Sequence, residues 1–575
     1  MLRKLLTFMK KYAIYAFLSP LFMILEVLAD IIIPYIMSRI VDVGIANQDI
    51  QYIVKLGIAM VISALLAMTF GVLSTHCGAR AGYGFAAEIR EETFRKIQSF
   101  SFTNLDQLTV PSLITRLTND CNTIGQVTMM SLRMAVRAPF MLIFALIMAF
   151  TINSSLAKVF MIVIPITVIA IAVVLYKAGP LFKKLQSRID RVNAIIQENL
   201  IAIKVVKSFN RQDHEERRFK ERNDDLRDTA LKAISLILSL TPVVNLMIYS
   251  TIIAVLWYGG RQVMIGSMGS GELISFITYI TQVLMSLMMI SMFFMQLMRG
   301  VASGSRILEV LNTESEIKEP KEPVKEMKDG SISFYNVSFS YPGSKEKVLK
   351  DINLSIKSGE IIGIIGSTGS SKSTLVQLIP RLYDINEGSV VIGGVDVRDY
   401  DIKILRDQAA FVLQKNTLFS GTIRDNMKWG KEDATDEEII EALKQAQAWE
   451  FVSKYKDGLD HRVEQGGDNF SGGQKQRLTI ARALLKSPKI IILDDSTSAV
   501  DMATDAKLQK VFREELPKVT IIIIAQRISS IQHADRILVL HEGQIESIGD
   551  HDTLMKVSPI YREIYESQQK GVIGQ

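Results

Sequence analysis

"GSTGSSKST", residues 366–374, lies between the apolar run "EIIGII" (360–365) and a helix-like start, "LVQLIP" (375–380). A Gly/Ser-rich loop that leaves a buried strand and opens a helix aims consecutive backbone N–H groups and a helix N-terminus at one point, which makes an anion site. Lys372 adds a positive charge, and the Ser373 hydroxyl adds an oxygen suited to Mg²⁺. The spacing follows the phosphate loop G-x-x-x-x-G-K-[ST], so Gly366, Ser367, Thr368, Gly369 and Ser370, followed by Ser371, Lys372, Ser373 and Thr374, are the expected nucleotide contacts. Ser371 departs from the pattern, standing where the second glycine belongs. If that backbone needs a positive φ, a Cβ there costs about 1 kcal/mol, enough to weaken binding without abolishing it.

Further strand-like runs surround the loop: "ISFYNVSFSY" (332–341), "KIIILDD" (489–495), "TIIIIAQ" (520–526) and "RILVLHEG" (536–543). They alternate with helix-like segments, which predicts a mainly parallel sheet flanked by helices over 331–575. Before it, "NTESEIKEPKEPVKEMKDGS" (312–331) is charged, proline-containing and without sustained apolar periodicity, and a linker is expected at 311–330.

The first half of the 575-residue chain has a different composition. Val159 to Tyr176 is apolar except for Thr167, and similar runs at about 13–40, 53–76, 129–152, 233–258 and 273–298 predict six membrane spans within 13–310. The first is too long for a cleaved signal peptide. Lys and Arg crowd the N-terminus and the links between spans two and three and spans four and five. The links at 41–51 and 151–157 hold neither residue. The positive-inside rule therefore expects both termini in the cytoplasm, with long helical extensions on that side. "LRKLLTFMKKY" (2–12) is basic on one face and apolar on the other, as an interfacial helix at 1–12 or the start of the first span would be. The net charge of +6 is small for this length and no nucleic-acid partner is expected; Cys77 and Cys121 form no CxxC or Cys/His cluster.

"NFSGGQKQR" (469–477) resembles the signature sequence of ABC transporters, matching at Ser471, Gly472, Gly473 and Gln474. In that family the signature of one nucleotide-binding domain closes over ATP held by the phosphate loop of another. The resemblance carries over to other positions. Tyr341 matches the aromatic that stacks on adenine, although an edge-strand aromatic packed on the core would read the same way. Gln414 matches the Gln that contacts Mg²⁺ and water, Asp494 the acid that serves Mg²⁺, and Asp501 the residue linking two sites across a dimer. Glu464 falls in a segment that touches the coupling helices in exporters. The links near 102–112 and 210–216 would be those helices.

Two more departures fall in the pocket of the chain's own phosphate loop. Asp495 replaces the catalytic Glu and is one methylene short, and Gln526 replaces the switch His. A base misplaced by about 1 Å loses roughly a hundredfold in rate, and Gln cannot carry a positive charge. The signature, which serves the partner's pocket, matches. The chain as a whole, a six-span helical membrane domain followed by an α/β P-loop domain, is similar to the bacterial heterodimeric ABC multidrug exporters, in particular to the subunit with the degenerate site. The resemblance implies ATP and Mg²⁺ as cofactors, a homologous half-transporter as partner, the bacterial cytoplasmic membrane as location, and a hydrophobic cargo. Alternatives are a lipid or lipid-linked cargo, a slow homodimer, and a regulatory protein that uses ATP only as a clamp. Met285, Met288, Met289, Met292, Met295 and Met298 recur at helical spacing on the sixth span, facing either an adaptable cavity or lipid. Glu26 and Asp30, and likewise Arg133 and Arg137, share helix faces; they form either an acidic face for a cationic cargo or an ion-pair cluster.

Overall fold

The computed structural model describes residues 5, 7–344, 346–496 and 499–573, without the side chains of 570–573. It divides into two compact units: a membrane unit that includes Pro111–Asn312, and a soluble unit that joins Ser99–Val110 to the chain from Thr313 onward.

Among the described residues six helices are long and apolar enough to cross a bilayer: Thr7–Ile45, Ile50–Gln98, Val110–Ile152, Ser154–Ile201, Gln212–Met264 and Ser270–Asn312. The second has an unbroken run of 49 residues. That is about 74 Å at 1.5 Å per residue, against a hydrocarbon core of about 30 Å. Small residues let these helices approach. A Cβ on Gly82 would meet the carbonyl of Gly125 at 2.6 Å, so the second and third helices touch backbone to backbone there. Pro34 lacks the N–H that would bond the preceding turn, and Tyr279 on the sixth helix donates to the nearby Ile31 carbonyl at 2.8 Å. Of the segment at 1–12, residues 1–4 and 6 lie outside the described residues. Thr7–Tyr12 is a 3-10 helix running straight into the first long helix.

Three of the four paired charges in this unit form an ion-pair cluster, and Arg133 lies outside it with its Nε buried and without a partner. Arg137 reaches Asp30 at 3.0 Å with one guanidinium nitrogen and Glu26 with the other. The acidic face of the first helix is therefore met by an arginine of the third helix. The methionine run divides, with Met285, Met292, Met295 and Met298 exposed on the chain, while Met288 packs against the buried cluster of the unit.

In the soluble unit a six-stranded sheet has the order 544–549, 536–541, 361–365, 520–524, 490–494, 409–412. All neighbours are parallel except the edge pair 536–541 with 544–549. Strands buried on both faces read as continuous apolar runs, and Ile361–Ile365, Ile490–Asp494 and Thr520–Ile524 are buried at every position. The linker is shorter than the charged stretch suggests. The sixth helix runs to Asn312, Val324 bridges to Tyr400, and Met327 is buried with the core of a second, antiparallel sheet. Two apolar side chains among charges are enough to anchor such a segment.

The strand Ile361–Ile365 leads through the Gly/Ser loop into the helix Lys372–Gln377, with Ser371 as its N-cap at φ 72°, ψ 26°. The position does require the left-handed conformation, which disfavours any Cβ. Ser371→Gly should therefore raise the stability of the soluble unit by about 1 kcal/mol, seen as a higher melting temperature without nucleotide. An unchanged or lower value would mean that the serine is not strained.

Candidate nucleotide site

In a parallel sheet the carboxyl ends of the strands open at one edge, and ligands bind there. Four strand ends supply the site. Gly366 follows Ile365, Gln414 lies two residues past Val412, Asp494 closes its strand with Asp495 next, and Gln526 lies two residues past Ile524. Together with the phosphate loop they line a cavity of about 540 Å³.

Within it, Lys372 Nζ donates to the carbonyls of Gly366 and Ser367 at 3.0 and 2.9 Å, and to Ser370 Oγ at 3.3 Å. Burial lowers its pKa, against the pull of Asp495 and Asp494. Ser373 Oγ donates to Asp494 Oδ1 at 2.8 Å. This hydroxyl–carboxylate pair consists of the hard oxygen donors that Mg²⁺ prefers, and Gln414 adds an amide nearby. Among the described residues no cluster of three His, Cys, Asp or Glu could hold a metal by itself, so Mg²⁺ here would rely on phosphate oxygens as well. Burial raises the Asp494 carboxyl, the Ser373 bond opposes this, and the neighbouring Asp495 charge reinforces it.

Asp495 takes φ 50°, an uncommon backbone for a non-glycine residue. Its Oδ2 accepts from Gln526 Nε2 at 2.7 Å and from Gln414 Nε2 at 3.3 Å. Burial raises its pKa, while the two amide donors and Lys372 oppose the rise. The base position and the switch position thus touch directly.

Tyr341 sits beside the loop, its hydroxyl 2.9 Å from Thr374 Oγ1 and its ring edge-on to Tyr383 at 5.4 Å. Tyr383 in turn donates to Asp106 at 2.7 Å and meets the Phe102 ring at 5.9 Å. The helix Phe102–Leu108 therefore packs in the soluble unit beside the tyrosine expected to face adenine. The segment 210–216 belongs to the membrane unit.

The signature lies apart from this cavity. Ser471 caps the helix Gly472–Leu485 through a reciprocal box with Gln474, in which Gln474 N donates to Ser471 Oγ at 3.3 Å and Ser471 N to Gln474 Oε1 at 2.8 Å. A Cβ on Gly473 would lie 2.8 Å from the Ala499 carbonyl, so the glycine is sterically required. Asp501 caps the helix Met502–Glu514 through Thr504 and is fully exposed. Glu464 is exposed as well. Neither is part of the cavity wall.

Three residues of the site were not visible in the sequence. Gln476, two past the signature, accepts from Ala499 N at 3.1 Å and approaches the Asp495 carbonyl at 3.5 Å, tying the signature helix to the base. Ile564 and Gln568, on the C-terminal helix Pro559–Ile573, reach the cavity wall and the switch loop respectively. Gln476 shares its buried helix face with Thr479, so its sequence position carried no distinct signal.

Known proteins agree with this architecture. The family profile of the ABC transporter transmembrane region matches residues 16–287, and that of the ABC transporter matches residues 349–498. The chain is 39% identical to the uncharacterized ABC transporter ATP-binding protein YfiB of Bacillus subtilis (strain 168), over 99% of this chain and 98% of that protein. It is 31% identical to an ATP-dependent lipid A-core flippase of Desulfotalea psychrophila, over 93% of each. Its fold matches that of a bacterial Atm1-family ABC exporter solved with ATP bound, with a TM-score of 0.82 at 24% identity, over 97% of this chain and 99% of that one. The chain belongs to the ABC transporters, with the ABC transporter transmembrane region and the ABC transporter domain in one polypeptide.

Proposed function

We propose that this chain is the half of an asymmetric pair whose own pocket holds MgATP but hydrolyses it slowly, while its signature completes an active pocket on a second, homologous half-transporter. The observation that carries this reading is the contact of Asp495 with Gln526 and Gln414. Both partners are neutral amides, so neither supplies a titratable imidazole where phosphate charge develops. The carboxylate is also a methylene short for reaching water. Ser371 adds strain to the same pocket, whereas Ser471 and Gly473 sit in unstrained cap geometry.

In this reading Lys372 and the loop amides bind the phosphates, Ser373 and Asp494 hold Mg²⁺ with Gln414, and Tyr341 stacks on the base. Closure of the ATP-loaded pair favours an outward-open cavity only because nucleotide binds the closed form more tightly. The path Tyr341–Tyr383–Asp106 offers a direct mechanical link from the base to the helix Phe102–Leu108.

The cargo is proposed to be hydrophobic small molecules leaving across the bacterial cytoplasmic membrane, with both termini on the cytoplasmic side. The exposed Met285, Met292, Met295 and Met298 suit varied apolar ligands. A cationic preference rests on Glu26, whose Oε2 is buried without a hydrogen-bond partner beside the Arg137 pair. A lipid cargo is the second reading, favoured by the flippase relatives.

Purified alone in lipid, the chain should bind MgATP yet turn it over slowly. Asp495→Glu should raise the rate at least about tenfold; brisk hydrolysis by the unaltered chain as a homodimer would sink the asymmetric pair. Because burial raises the Asp494 carboxyl, protons should compete with Mg²⁺ for it at a higher pH than for an exposed aspartate. Mg²⁺-dependent nucleotide affinity should therefore fall on acidification more steeply in the unaltered chain than in Asp494→Asn, compared by titration at stepped pH. Parallel curves would remove Asp494 from the metal site.

A further inference from the structure

The switch loop, residues 525–530, leaves the sheet after Ile524 and ends in the 3-10 turn Ile528–Ser530. Its two ends are tied down by unrelated elements. At the far end, Ser530 Oγ donates to Asp505 at 2.6 Å and the Ser530 carbonyl accepts from Gln509 at 2.8 Å, both on the helix Met502–Glu514. At the near end a single side chain from the C-terminal helix makes two bonds. Gln568 Nε2 donates to the Gln526 carbonyl at 2.7 Å, and Gln568 Oε1 accepts from Ile528 N at 3.0 Å.

One primary amide thus satisfies an acceptor and a donor two residues apart, as a neighbouring strand would. Two such bonds fix the backbone on both sides of Arg527 and therefore the Cα of Gln526, from which the side chain reaches Asp495 at 2.7 Å. The helix that carries Gln568 is itself anchored. Tyr561 is fully buried in the main apolar cluster with its hydroxyl 2.8 Å from His551 Nδ1, and Ile564 packs against that cluster and lines the phosphate-loop cavity. Tyr561, Ile564 and Gln568 lie at i, i+3 and i+7, one face of one helix. Beside them a separate cavity of about 760 Å³ runs from Asp495 past Gln526 and Arg527 to Tyr565 and Gln568. Ala525 and Ile528 are buried in the main apolar cluster and Ala525 N donates to the Ile364 carbonyl at 3.2 Å, so the glutamine bonds act on the stretch between these anchors, at the Gln526 carbonyl and the Ile528 N–H.

We propose that Gln568 is a positioning residue for ATP hydrolysis, holding the switch loop so that Gln526 meets Asp495 and placing the nucleotide site under the control of the C-terminal helix. The inference rests on Gln526 being the switch residue. It does not depend on the cargo or on the asymmetric pair.

The test is a double-mutant cycle on the full chain in lipid, reading single-turnover hydrolysis of labelled ATP with protein in excess, so that slow turnover is still counted. Gln568→Ala should lower the rate constant about tenfold at saturating MgATP, with the ATP concentration for half-saturation changed less than about twofold. Gln568→Glu keeps the acceptor for Ile528 N–H but loses the donor to the Gln526 carbonyl, and should fall between the two. In a Gln526→Ala background, Gln568→Ala should have no further effect. An undiminished rate in both Gln568 variants would overturn the proposal, as would an equal fall with and without Gln526. If Gln526→Ala alone changes nothing, the switch assignment itself fails, and this inference with it. Should Gln568→Ala not fold, the Gln568→Glu arm of the same cycle decides.

Discussion

Parallel pairing of four buried strands is the constraint on which the site depends. Ile361–Ile365, Ile490–Asp494, Thr520–Ile524 and Ala409–Val412 run in the same direction, so their carboxyl ends must open at one edge. Residues spread over 160 positions of sequence, from Gly366 to Gln526, are thereby brought to one cavity. The apolar runs that form the strands gain free energy from burial on both faces. The charged residues lie only where the runs stop. Asp494 and Asp495 belong to that stopping point, and burial raises both carboxyls for the same reason that the strands are stable: little water reaches that edge.

How far the sequence reveals this depends on whether the relevant physics is local. The phosphate loop is local, because strand, glycine-rich turn, lysine and helix start are contiguous, and its contacts follow from nine consecutive residues. The six membrane helices are local too, since span length is written directly as apolar residues. The signature box between Ser471 and Gln474 spans three positions and needs only helix-capping rules. What was not legible is what crosses the fold. Gln568 lies forty-two residues beyond Gln526, on a surface-like helix whose amphipathic pattern says only that one face is buried. The left-handed backbone of Asp495 follows from a neighbouring strand and its partners, not from the residue itself. The ion pairs of Arg137 with Glu26 and Asp30 needed the pairing of two helices, which shared spacing on each helix could suggest but not specify.

The membrane unit and the soluble unit handle polar groups in different ways. In the soluble unit Asp494 and Asp495 are bonded by side chains of other elements, although Asp505 Oδ1 is buried without a partner. In the membrane unit Glu26 Oε2 and Arg133 Nε are buried without one. Such groups are costly in an apolar surrounding. The exposed methionines of the sixth helix are apolar side chains that impose no fixed shape on what they touch.

A site whose base, switch and loop are each altered could have lost nucleotide binding altogether, but the particular alterations do not lead there. Under the proposed function, affinity is set by Lys372, Ser373, Asp494 and the loop amides, with Lys372 bonded to the loop carbonyl of Gly366 and Ser373 to Asp494. The proposed reading places the departures from the family pattern at Asp495 and Gln526, which would act on water and on developing charge. Binding energy and transition-state stabilisation are separable quantities, and the substitutions fall almost entirely on the second. Ser371 is the exception, and its strain is about 1 kcal/mol, small beside the free energy of a nucleotide held by several charged hydrogen bonds. Under the proposed function, a pocket with this division would stay occupied while the partner's pocket cycles. In the proposed asymmetric pair hydrolysis need then occur at one site only, because a single release of the closed state would reset both halves.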